Sequence, residues 1–277
     1  MARRIKVNLF VYGCSFSSNS HHHLSGWTKF LTIKLGANLV NHAVGGGSSE
    51  NAFRQWLQDV KENKFQPGDL IIFQVSSVGR LFFLHQRDFP NTASQYLPYP
   101  NTDRFLDKNT NSWYYENKHH LEWYLMNRDD EINFNMRQAY KHTLRSFAES
   151  HENIKVLILE NGACPWFYSL PILNPPKNFF EVPVDLNKIN ENEFGFKGGY
   201  FKWVDFTKID TRVNHLSIPN LRSMAELIYD IYKEGKVLES YENYFEKNVF
   251  PKPIKNSQDY FEYVDQKLIY NLLPNLK

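Results

Sequence analysis

Short apolar runs alternate with amphipathic segments along most of this chain, and that alternation limits the fold more than any other feature of the sequence. Ile5–Tyr12 has the apolar density of a buried strand, and Leu24–Leu35 follows with Leu24, Trp27, Phe30, Leu31 and Leu35 at helical spacing before Gly36 as a stop. Asn38–Asn41 reads as a short second strand. Ser49–Lys61 gathers Ala52, Phe53, Trp56, Leu57 and Val60 on one side of a helix, and Gly68-Asp69 turns into a third buried strand, Leu70–Val75. Glu131–Ser150 reads as a helix, Ile154–Leu159 as a fourth strand, and Leu216–Lys233 as a helix with Leu221, Met224, Ala225, Ile228 and Ile231 facing inward. Buried strands alternating with helices predict an α/β fold, a three-layer α/β/α sandwich around a mostly parallel sheet.

The pattern breaks once, between about residues 81 and 130. Pro90, Pro98 and Pro100 interrupt it, periodicity is weak, and a structureless loop of that length is rare in a compact domain, so short helices or a lid are expected there. Aromatic residues are 16% of the chain and concentrate in Leu81–Tyr124 and Trp166–Trp203, regions that read as covering or binding something. The expected organisation is one domain over residues 1–235 carrying this insertion, followed by an extension, 236–277, packed on the domain. No internal repeat or low-complexity tract stands out.

Bulk composition excludes several function classes. Lys and Arg number 32 against 30 Asp and Glu, a formal charge of +2, so no global field favours nucleic acid, and the only basic run is the short Ala2-Arg3-Arg4 start. Cys14 and Cys164 are the only cysteines, too few for a disulfide framework and not spaced as a metal pair. The first apolar run is cut by Gly13, Ser15 and Ser17 before it can serve as a signal-peptide core, and no stretch approaches the ~20 apolar residues of a membrane span. A soluble protein, cytoplasmic as synthesised and without a membrane partner, is the expectation.

Three segments carry residues suited to acyl transfer. A serine hydroxyl is a weak nucleophile at neutral pH, so it needs a base to take its proton and donors to hold the oxyanion that develops on a carbonyl substrate. Ser15 lies after the first strand within Gly13-Cys14-Ser15-Phe16-Ser17; Asn41-His42-Ala43-Val44-Gly45-Gly46-Gly47 follows the second; His215 precedes the last helix. Alone, each is an ordinary turn, glycine loop or helix-start histidine. In this order they resemble the SGNH (GDSL-type) hydrolase family over about residues 5–233.

That resemblance implies the flavodoxin-like strand order and a site needing neither metal nor cofactor. It implies Ser15 as nucleophile, with Cys14 where the family has aspartate, and Gly46 as the glycine whose backbone N–H enters the oxyanion hole. Trp27 also follows the family pattern. The third block departs: Val78 stands where the family has asparagine, which leaves Ser76 and Ser77 as candidate donors. The fourth departs too, since Arg212 stands where the family has the aspartate that orients the histidine; Asp210 is the nearest substitute, then Asp205. His21-His22-His23 are adjacent and cannot readily converge on one ion, so His22 reads as a loop residue touching substrate, and Arg80 as a contact for an anionic or hydroxyl group. Trp113, Tyr114, Tyr115, Trp123 and Tyr124 are of the kind that stack on sugar rings. The expected activity is hydrolysis of an ester, with a small-molecule or carbohydrate ester as substrate and O-deacetylation as the expected reaction; the rival reading is an SGNH-fold binding or structural protein that has lost catalysis. The chain also looks like SGNH-like proteins of tailed bacteriophages, which makes association with a virion a further expectation.

Overall fold

The computed structural model describes residues 7–14, 16–18, 26–44, 47–75, 130–160, 170–182, 184, 189, 192, 216, 218–237 and 241–247. Within them, β1 (Asn8–Tyr12), β2 (Asn38–Asn41), β3 (Leu70–Val75), β4 (Lys155–Glu160) and β5 (Phe179–Val182) form one sheet in the order β2-β1-β3-β4-β5. Every neighbouring pair is parallel. Helices α1 (Trp27–Leu35), α2 (Ser49–Lys61), α3 (Asp130–Ser150) and α4 (Ile218–Glu234) complete the described elements with a 3-10 turn at Glu242–Tyr244.

Successive residues of a strand face opposite sides of a sheet, so a strand apolar at every position demands cover on both faces. Leu9 and Val11 of β1 and Leu70 and Ile72 of β3 join a core with Trp27 and Leu31 of α1 and Met224, Ile228 and Ile231 of α4. Phe10, Tyr12, Ile71 and Phe73 enter a second core with Ala52 and Trp56 of α2 and Leu144 and Ala148 of α3. The result is the three-layer sandwich expected from the alternation, with the flavodoxin-like strand order. β5 is an addition, since the apolar pattern did not announce it.

Polar anchors set the ends of these elements. Gly36 stops α1 in the left-handed conformation (φ 62°), with its N–H on Ile33 and that of Ala37 on Thr32. Buried Asp69, just before β3, accepts from Asn8 N–H at 2.9 Å, Asn8 Nδ2 at 3.0 Å and Gln66 N–H at 2.8 Å, which fixes the start of β1 against that of β3. Asn178 Nδ2 donates to the carbonyls of Ala148, Ile154 and His151, so one side chain ties the end of α3 to the start of β4 and the approach to β5. Residues 241–247 lie on α4: Asn220 brackets the backbone of Glu246 at 2.7 and 3.0 Å, and Phe245 enters the first core. Among the described residues no helix is long and apolar enough to cross a membrane.

Candidate active site

In an open parallel sheet, ligands bind beyond the carboxyl ends of the strands, at the point where the strand order reverses. With β1 at the branch between β2 and β3, that point lies beyond the ends of β1 and β3. The segments holding Ser15, Ser76 and Ser77 follow those two strands, and the one holding Gly46 follows β2. Ser15, His22, Gly46, Ser76, Ser77, Arg80, Asp210 and His215 themselves lie outside the described residues, as do Val78, Asp205, Arg212 and the aromatic residues between 113 and 124. What the structure gives is the frame on either side of them.

That frame is tight around position 15. The carbonyl of Cys14 accepts from the N–H groups of Ser17 at 2.9 Å and Ser18 at 3.0 Å, which turns the chain at Ser17 and Ser18 back onto Cys14. Trp27 Nε1 donates to the Phe16 carbonyl at 3.0 Å, so the tryptophan noted in the sequence holds the turn from α1. Asn41 Nδ2 donates to the Ser17 carbonyl at 2.8 Å from the end of β2, while Asn41 Oδ1 accepts from Ala43 N–H at 2.9 Å. Gln74 of β3 receives the Ser17 hydroxyl at 2.6 Å and the Cys14 N–H at 3.4 Å on its Oε1. Cys14 is a free, buried thiol and takes the core side of the turn.

The glycine loop is threaded against the same turn. His42 N–H donates to Val11 and Val44 N–H to Gly13, at 2.8 and 3.2 Å, continuing the β1–β2 pairing past the strands. Gly47 then donates to Val44 at 2.8 Å, and a Cβ on Gly47 would sit 3.0 Å from the carbonyl oxygens of both Gly13 and Val44. Only a residue without a side chain approaches that closely in comfort. Ser48 caps α2 by accepting from Asn51 N–H at 3.1 Å.

Two features come from residues that sequence reasoning left aside. Asp59, buried on α2, accepts the Tyr12 hydroxyl at 2.5 Å and the Lys64 ammonium at 2.8 Å; His42 Nε2 stands 2.8 Å from its Oδ2, an electrostatic contact out of line for an N–H···O hydrogen bond. Burial first, then the bond to Asp59, drives the Tyr12 phenol far above its usual range. Lys141, fully buried on α3, pairs with Glu160 at 2.7 Å and with Glu181, and donates to the Leu170 carbonyl at 2.9 Å. A lysine inside a helical pattern normally signals a solvated face, so no sequence cue pointed to it.

On the α1 and α4 side, Cys14 and Phe16, the neighbours of Ser15, share one core cluster with Leu216, the residue after His215.

No protein-family model matches the chain, and no curated protein matches it. Among solved structures it is similar to the protein YxiM of Bacillus subtilis, at 17% identity and a TM-score of 0.39, over 83% of this chain and 57% of that one. It is also similar to a protein designated a GDSL-like lipase from Parabacteroides merdae, at 13% identity and a TM-score of 0.41, over 83% of this chain and 97% of that one. Likenesses this distant carry no statement about activity.

Proposed function

We propose that this chain is a serine-dependent ester hydrolase of the SGNH type, acting on an acylated carbohydrate. The observation that carries the reading is the pinned turn at the sheet's switch point: β2, β3 and α1 each send a side chain to residues 14–17, around a serine, in the place where this fold class binds ligands. Structural effort of that kind fits a residue whose position matters more than its packing.

In the proposed reaction Ser15 Oγ bonds to the acyl carbon as its proton passes to His215, and the imidazolium returns that proton to the departing alcohol. Water then attacks the acyl-serine with His215 again as base, releasing the acid and restoring the serine. Backbone N–H groups of Ser15 and Gly46 hold the oxyanion, a hydroxyl of Ser76 or Ser77 serves as third donor, and Asp210 orients the imidazole. His22 and Arg80 contact the substrate.

The second reading, a binding protein on the same scaffold, is favoured by Val78 and Arg212. Loss of one oxyanion donor costs roughly 100- to 1000-fold in rate. Fluorophosphonate labelling with mapping of the adduct, together with acetate-ester turnover in Ser15→Ala and His215→Ala, separates the two. An adduct on Ser15 and turnover abolished in both variants is the expected result; no adduct, with turnover the same in all three proteins, sinks the esterase. Acetate release from an acetylated oligosaccharide, compared with p-nitrophenyl acetate, tests the carbohydrate.

A further inference from the structure

β3 is buried at all six positions, and five of them are apolar; Gln74 is the exception. Burying a carboxamide costs about 1–3 kcal/mol unless its hydrogen bonds are made, so an apolar residue would serve a purely structural role at least as well. The bonds that Gln74 makes lie on both sides of Ser15. Its Oε1 is 3.4 Å from the Cys14 nitrogen and 2.6 Å from Ser17 Oγ, across 60 and 57 residues of sequence.

Chemistry fixes the direction of both contacts. A backbone N–H only donates, so the atom facing Cys14 is the amide oxygen, and the Ser17 hydroxyl donates to that same oxygen. The fit is steric as well: a Cβ on Gly13 would stand 2.8 Å from both Cβ and Oε1 of Gln74, so the chain before the turn has glycine where β3 presses against it.

We infer that Gln74 is the positioning residue for Ser15, its carboxamide oxygen tying down the residue before the serine and the second residue after it; this rests on the reading of Ser15 as nucleophile. The requirement is for an acceptor of that length on β3. Glutamate meets it, whereas methionine keeps the volume and loses the acceptor.

Gln74→Met and Gln74→Glu, compared with wild type in the full chain, test this. Misplacing a reacting group by about 1 Å costs about 100-fold. Gln74→Met is therefore expected to lose kcat and the rate of fluorophosphonate labelling at Ser15 by about that factor with KM unchanged, and Gln74→Glu to recover most of the loss. Amide hydrogen exchange over residues 12–20 is expected to quicken in Gln74→Met, to stay near wild type in Gln74→Glu, and to be unchanged in β4 and α3 of both. Wild-type kcat and exchange in Gln74→Met would overturn the inference. So would equal losses in both variants that follow the thermal midpoint, because a merely structural role predicts them. If Ser15 takes no adduct in wild type, the esterase reading falls alone: exchange then decides whether Gln74 anchors the turn, upheld by a difference between the two variants and overturned by its absence.

Discussion

The phenol of Tyr12, the last residue of β1, donates a hydrogen bond to Asp59 on α2 at 2.5 Å, inside the second core. The same carboxylate holds Lys64 and faces His42, so one buried charge joins β1, the glycine loop and both ends of the α2 connection. Removing a partner from such a group is costlier than the bond is worth in isolation, since a charge stays behind.

Tyr12→Phe is expected to cost about 1.5–3 kcal/mol at neutral pH, the range for a hydrogen bond to a charged group, read as a lower urea midpoint with unchanged slope. The pH dependence adds a sign. Burial and Asp59 raise the Tyr12 pKa in the folded state above its ordinary 10.0, so the unfolded chain gives up this proton first as pH rises. The stabilisation is complete below about pH 10 and declines above it. Tyr244, pushed up to about 12 by burial and by its bond to Asp230, acts in the same direction. Unfolding curves at pH 8 and 11 should therefore show wild type losing more stability over that interval than Tyr12→Phe. Equal losses would contradict the assignment.

Gly13→Ala places a methyl group 2.8 Å from the Cβ of Gln74, and that atom cannot swing away as the tip of a flexible side chain would. Overpacking of this kind costs about 1–3 kcal/mol. Because the strand end must move, ester turnover should fall together with the thermal midpoint. A midpoint equal to wild type would show that β1 and β3 have slack the geometry does not suggest.

The strands and helices found from the sequence are those whose apolar period is sustained over several residues. β3 and α2 have the expected bounds, and β4 begins one residue late. β5 escaped because Phe179-Phe180-Glu181-Val182 is four residues long, follows Pro175-Pro176 and precedes Pro183. Of the candidate site, the turn, the glycine loop and Trp27 were legible as local motifs. Their anchors were not. Gln74 reads as a blemish in an apolar strand, and Asp59 as an ordinary polar helix residue, until parallel pairing brings β3 and α2 against β1; hydrogen bonds spanning 47 to 60 residues have no local signature.

Lys141→Met tests the second buried network. Glu160 ends β4 and Glu181 lies on β5, and the Lys141 ammonium that pairs with both is fully buried. Deleting it removes the buried counter-charge that both carboxylates share, for which about 3–5 kcal/mol of destabilisation is expected in urea unfolding. Adding Glu181→Gln to Lys141→Met should return part of that loss, since one of the two carboxylates that lost the ammonium then carries no charge. A double variant no more stable than the single one would mean that the ammonium serves Glu160 alone.

Asn41 donates to the Ser17 carbonyl and accepts from the Ala43 N–H, so its two amide atoms have opposite duties toward the turn after β1 and the segment after β2. Aspartate can keep the second and reverses the first, setting a carboxylate against a carbonyl oxygen 2.8 Å from the atom it replaces. At pH 7.5 Asn41→Asp should accordingly be less stable than Asn41→Ala, although it is closer to isosteric. A protonated aspartate regains the donor. Facing that carbonyl, its folded-state pKa rises above the unfolded value of about 3.9, so the stabilisation is present at low pH and lost as pH climbs. Urea unfolding at pH 5 and 7.5 should show the gap between Asn41→Asp and wild type narrowing at pH 5, with that of Asn41→Ala constant. Parallel behaviour of the two variants would place the Ser17 carbonyl in other hands than those of Asn41.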